Sequence, residues 1–210
     1  MIKKHMKTLI ITSLVIVLPM LVGAILWDQL PAQIPTHWNI EGQVDGWSSK
    51  TLAVLGLPGI MLAFQWLCVL GTLADPKKNT HPDKIFQLVL WIIPVLSLVI
   101  FTLTFLTAFN KPVQVEIILP LVMGLLFLII GNYLPKCKQN YTIGIKLPWT
   151  LHSEENWNKT HRFAGWIWML GGLGIMLTSF LGCFWVLIAV TAVMAFAPTV
   201  YSYILYRKGI

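Results

Sequence analysis

The 210-residue chain is 57% hydrophobic and only 11% charged, against roughly 25% charged residues in ordinary soluble domains. That composition excludes a water-soluble fold, because long apolar runs, each close to the roughly 20 residues that cross hydrocarbon, separate the eight acidic residues. The net charge of +7 points to no direct nucleic-acid partner: the lysines and arginines sit beside the ends of the apolar runs, where they set topology and meet the lipid bilayer.

In chain order, the basic start Lys3, Lys4, Lys7 leads into an apolar span over 8–27. Val22-Gly23-Ala24 resembles a small-residue cleavage site, and the expectation is an uncleaved anchor. Further spans are expected over 51–73, 85–109, 115–134, 163–180 and 183–206, the last two joined by a tight turn around Gly182. The fold class is therefore all-α, a polytopic bundle of six transmembrane helices. Of 15 lysines and arginines, 13 fall on one side of this plan, and only Lys50 and Lys111 fall on the other. Cations are enriched in cytoplasmic loops, so both termini are expected in the cytoplasm, residues 28–50 outside and residues 135–162 inside. Two regions follow, 1–84 and 85–210.

The spans carry no ionisable group at their centres, which gives no support to a proton relay, ion pathway or voltage sensor. Proline recurs at Pro19, Pro58, Pro94, Pro120 and Pro198, where kinks are expected. Gly171, Gly172 and Gly174 read as close helix packing. Cys68, Cys137 and Cys183 show neither paired nor metal-ligand spacing, so neither disulfide nor metal is assigned.

The outer loop, L-P-A-Q-I-P-T-H-W-N-I-E-G-Q-V-D-G-W-S-S-K from Leu30 to Lys50, sets Pro31 and Pro35 against helix and supplies turns at Gly42 and Gly46. It is expected to be compact and ordered, with Trp38 and Trp47 at the membrane interface. His37, Glu41 and Asp45 recur every four residues, but the two glycines oppose the helix that would align them on a metal.

The inner loop is the densest polar and aromatic stretch. Asn140 to Pro148 reads as extended or turning, with Gly144 flexible and Pro148 biasing Leu147 away from helix. Ser153 then caps a helix whose first turn holds Glu154 and Glu155, with Lys159 four residues on. On that helix Glu154, Trp157 and His161 share a face, with Asn158 adjacent, so a carboxylate, an imidazole and an amide are placed to converge. The spacing matches no zinc-helix, Walker or dinucleotide pattern, and no cofactor is expected.

These two loops carry a resemblance. The outer L-P-x-x-I-P-x-H-W-N-x-x-G-x-x-D-G resembles DUF1648, and the inner N-Y-T-I-G-I-K-L-P-W-T-L-x-S-E-E-N-W-N-K-T-H-R-F-A-G resembles the SdpI family. The resemblance implies a multi-pass protein of the bacterial cell membrane that confers immunity to a secreted toxin peptide and holds a transcriptional repressor at the membrane. It carries onto Asn140, Gly144, Lys146, Pro148, Trp149, Thr150, Glu154, Trp157, Arg162 and Phe163, and onto Pro31, Pro35, His37, Trp38, Asn39, Gly42, Asp45 and Gly46. Of these, Asn140, Gly144, Lys146, Pro148, Trp149, Thr150, Glu154, Trp157, Arg162, His37, Trp38, Asn39 and Asp45, together with His161, are the candidate partner-binding residues; none is assigned a catalytic role. Two other functions remain open: a membrane enzyme working through the Glu154/His161 face on a lipid or peptide, and a small-molecule permease using Gln65, Thr102, Thr104, Thr107 and Asn132.

Overall fold

The computed structural model describes residues 2–77, 82–182 and 184–210, apart from the side chains of Ile2, Lys3 and Phe184. Lys78 and Cys183, used above in the charge count and the cysteine reading, lie outside the described residues, as does the Lys3 side chain. Seven helices dominate: α1 (Ile2–Ile25), α2 (Leu57–Ala74), α3 (Asp83–Ala108), α4 (Val115–Tyr133), α5 (Pro148–His152), α6 (Glu154–Ser179) and α7 (Phe184–Arg207). Two antiparallel strands, β1 (Gln33–Trp38) and β2 (Val44–Ser49), stand between α1 and α2. The loop expected to be compact is thus a β-hairpin, an element that an all-α plan does not contain.

Among the described residues, five stretches are long and apolar enough to cross a membrane: Lys4–Ile25, Leu52–Ala74, Asp83–Ala108, Val115–Lys136 and Trp185–Arg207. Their lipid-facing character shows in large exposed side chains such as Leu14, Leu67, Leu125 and Phe196, since lipid tails are as apolar as leucine. The expected span over 163–180 lies in α6, which does not join the five. Glu154, Glu155, Lys159 and Arg162 fill its first turns, and four glycines and two tryptophans dilute its apolar remainder.

The chain divides into two compact units, residues 1–73 with 86–115, and residues 74–85 with 116–210. Contacts therefore group α3 largely with the first unit, whereas the motifs divide the sequence at residue 84. In the first unit, Ile34 of β1 enters a core with Leu30, Ala53, Val54, Phe101 and Phe105. Toward the start of α1, Leu9, Val69, Phe86 and Leu90 form a second core. Between the two, Gln65 donates to the hydroxyl of Thr12 at 2.9 Å. A π-helical turn at Leu52–Gly56 precedes α2; Pro58, just beyond it, has no N–H to offer Val54, and such turns form where the regular ladder is interrupted. Pro19, Pro94, Pro120 and Pro198 lie inside continuous helices.

In the second unit α4, α6 and α7 pack closely. A Cβ on Gly172 would lie 2.5 Å from the Gly124 carbonyl and 2.7 Å from the Leu128 nitrogen, so α4 and α6 meet backbone to backbone. Gly171 faces Met194 of α7, while Gly174 has only ordinary van der Waals neighbours. The α6–α7 turn carries Gly182 at φ +62°. The indole of Trp168 then donates to the Met194 carbonyl, and Phe163 stacks on Tyr201.

Candidate functional site

The longer motif folds around four buried side chains of the second unit, Asn140, Thr150, Trp157 and His161. Leu147 is extended (φ −116°, ψ 154°), as its proline neighbour requires, and Pro148 opens α5. Thr150 accepts from the Leu147 N–H at 2.9 Å and donates to the Ile145 carbonyl at 2.8 Å, closing the turn from within. Ser153 caps α6 by accepting the Asn156 N–H at 3.1 Å, the role its position suggested. Glu155 and Lys159 form the anticipated i,i+4 pair at 2.7 Å, exposed and worth little.

Asn140, fully buried, holds the preceding turn. Its amide donates to the carbonyls of Lys138 and Ile143, both at 2.8 Å, and its oxygen accepts from the N–H groups of Thr142 and Ile143 at 2.8 and 2.6 Å. Asp75, 3% exposed, locks this turn from a distant part of the sequence. Its carboxylate accepts from the Tyr141 N–H and the Thr142 hydroxyl, each at 2.9 Å, and from the Lys77 N–H at 2.7 Å. Gln139 receives the Lys77 ammonium at 2.6 Å and donates to the Thr150 and Leu151 carbonyls.

Behind the turn, Trp157 and His161 stack with centroids 4.0 Å apart. The Trp157 indole donates to the Cys137 carbonyl at 2.7 Å. His161 Nε2 accepts the Ile145 N–H at 2.9 Å, so Nδ1 carries the proton and faces the Trp157 carbonyl at 2.8 Å. Burial holds the imidazole neutral by pushing its pKa down to about 4, opposed in part by that backbone contact. Burial likewise pushes the Cys137 thiol up to about 11, the Asn140 amide pulling the other way. Gly144 sits at φ +122° directly over both rings: a Cβ there would collide with His161 Nε2 and lie 3.0 Å from the Trp157 ring.

The sequence-derived residues therefore separate. Asn140, Thr150, Trp157 and His161 are interior, and Gly144 is needed for the fit. Lys146, Pro148, Glu154 and Arg162 are exposed. Trp149 packs on α7, donating to the Ser202 hydroxyl at 2.9 Å and stacking on Tyr206. The expectation that Trp149 and Trp157 present themselves to a partner is corrected here: Trp157 is fully buried and Trp149 half-buried, because each indole finds its acceptor inside the fold. Nor do Glu154, Asn158 and His161 converge. Glu154 and Asn158 face out, and both His161 nitrogens are engaged by backbone.

Sequence reading missed Asp75, Gln139 and Asn156. Asn156 donates to the carbonyls of Ser202 and Ile210 and accepts from Thr160. One signal was available for it, since Asn156 and Thr160 recur at i,i+4 with His161 alongside.

In the first unit the hairpin is built as its turn residues suggest. Asn39 accepts the N–H groups of Glu41 and Gln43, and Gly42 adopts φ +75°. His37 Nδ1 meets Asp45 Oδ1 at 2.5 Å across the strands. Glu41 does not join them, and among the described residues no three His, Cys, Asp or Glu side chains are grouped to hold a metal. Trp38 is half-buried and Trp47 exposed. Of the polar residues considered for a permeation path, Thr107 bonds its own helix, Thr102 and Asn132 are exposed, Thr104 is buried, and Gln65 is paired with Thr12.

A multi-pass helical membrane protein with two ordered polar regions is thus the class that fold and site define. Residues 136–202 match the SdpI/YfhL protein family, and residues 14–62 match the domain of unknown function DUF1648. The chain is 29% identical over 206 residues to the immunity protein SdpI of Bacillus subtilis strain 168, covering 97% of this chain and 98% of that protein. The second polar region is thus similar to the SdpI family and the first to DUF1648. No solved structure gives a significant match.

Proposed function

We propose that the chain is a non-enzymatic immunity protein of the bacterial cell membrane that protects against a secreted toxin peptide. The observation that carries this reading is the end-to-end similarity to the immunity protein SdpI, which spans both polar regions rather than one motif. In this reading the 163–179 portion of α6 is the sixth crossing, long enough at 1.5 Å per residue to reach most of the way through hydrocarbon. Both termini then lie in the cytoplasm, in keeping with 13 of 15 cations on that side. The hairpin faces outward to the toxin, with His37, Trp38, Asn39 and Asp45 ordering it. The motif loop faces inward and recruits a transcriptional repressor through its exposed groups Lys146, Glu154 and Arg162 and the edge of Trp149, on the scaffold of Asn140, Gly144, Pro148, Thr150, Trp157 and His161. The enzyme alternative draws less support, since the imidazole it requires has no nitrogen to lend to a substrate.

The test is expression of the chain in a strain sensitive to the toxin, with a fluorescent repressor fusion in the same cell. Survival with the repressor at the membrane is expected; killing equal to that of an empty-vector strain would refute immunity, and survival with a diffuse repressor would refute recruitment.

A further inference from the structure

The hairpin has a face that the first unit leaves uncovered. Ile34 turns into the core while Asp45, Trp47 and Ser49 of β2 are exposed, Trp47 by 57% of its surface. Trp47 stands opposite Pro35 in the strand register, so it is carried on an ordered sheet. His37 orients the Asp45 carboxylate on the adjoining pair. Rigid exposed indoles anchor interfaces, because they bury a large area at small entropic cost.

The charge of this segment runs against that of the chain. Residues 28–50 hold Asp28, Glu41 and Asp45 against one cation, Lys50, a formal −2 within a chain of +7. Lys50 is already committed: its ammonium donates to the Trp27 carbonyl at 2.8 Å and lies over the Trp27 ring. Asp45 stands two residues before the indole on the same strand, and both are exposed. A zwitterionic membrane interface would accept the indole but gain nothing from Asp45 and Glu41, and anionic headgroups would be repelled by them.

We infer that this outer face of the hairpin docks a cationic peptide, with a lysine or arginine side chain laid over Trp47 beside the Asp45 carboxylate, within a segment of net negative charge. The inference rests on the immunity reading and gives the toxin a chemical class.

The test uses the full chain in phosphatidylcholine nanodiscs and a fluorescein-labelled synthetic peptide of alternating lysine and leucine, with a glutamate-for-lysine analogue and empty nanodiscs as controls. Fluorescence anisotropy should show the lysine peptide binding the protein, weakened about tenfold by Trp47→Ala and about threefold by Asp45→Asn, and weakened further by salt. Equal binding of the glutamate analogue, unchanged binding by both variants, or equal binding to empty nanodiscs would each overturn the docking surface, the last in favour of the lipid. Toxin survival separates the two levels: protection by wild type and both variants alike removes this surface and leaves immunity standing, whereas failure of the wild type to protect removes the immunity reading itself.

Discussion

Gly144→Ala puts the greatest strain on the motif loop for the smallest chemical change. At φ +122° a non-glycine residue costs about 1–3 kcal/mol. The new methyl collides with His161 Nε2 and displaces the ring from the Ile145 N–H, a hydrogen bond worth roughly 0.5–1.5 kcal/mol. Together these lower the free energy of local opening by about 2–4 kcal/mol, on the order of 30- to 1,000-fold in the open population. Cys137 reports that opening, because its thiol is buried, bonded to the Ile143 carbonyl at 3.3 Å and held protonated by a pKa near 11, so that a thiol reagent reaches it when the loop opens. In a Cys68→Ser, Cys183→Ser background, maleimide labelling of Cys137 should accelerate by that factor in Gly144→Ala. Gly182→Ala is the control: it also carries a positive φ, of +62°, but has open space around it and lies in the α6–α7 turn, so it should leave the rate unchanged. Wild-type labelling kinetics in Gly144→Ala would refute the stacked Gly144–His161–Trp157 arrangement.

The remaining predictions concern charge, long-range anchoring and topology. Because the folded His161 pKa, about 4, lies below its ordinary 6.5, its contribution is complete above pH 6.5 and is lost as pH falls toward 4, by about 3 kcal/mol at most; hydrogen-exchange protection at 140–147, taken relative to the intrinsic rate at each pH, should fall across that window in wild type and lose the dependence in His161→Gln. Asp75→Ala removes the acceptor for three donors, each worth roughly 1.5–3 kcal/mol to a charged group. It should raise exchange at Tyr141 and Thr142 by at least tenfold, and unchanged protection there would contradict the lock. A reporter fused after Ile210 should be active in the cytoplasm and one inserted near Gly42 active outside; export of the C-terminal fusion would contradict the six-span plan.

Much of the architecture was legible because hydrophobic span length is a local signal. Ser153 as a cap, Pro148 as the residue that keeps Leu147 extended and Gly144 as a flexible point were equally readable, whereas the short helix α5 that Pro148 opens was not foreseen. The hairpin strands were less so. Pro35 and two register irregularities break the alternation that marks a strand, leaving only the turn residues as a signal. Asp75 was illegible for another reason: its partners Tyr141 and Thr142 lie 66 and 67 residues away, and no spacing rule reaches so far. Trp157 and His161 were read on the right face of the right helix, but whether that face is a site or a core depends on what packs against it. The backbone of residues 143–145 does so, which turns a candidate catalytic group into a structural one.

Immunity is measured most directly in mixed culture, where a strain deleted for this gene competes with a producer of the toxin peptide, and complementation uses the wild-type chain or Gly144→Ala at matched membrane abundance. The account predicts that the deletion strain is killed, that wild type restores survival, and that Gly144→Ala restores survival while losing membrane recruitment of the repressor. Survival of the deletion strain at the parental level would contradict it.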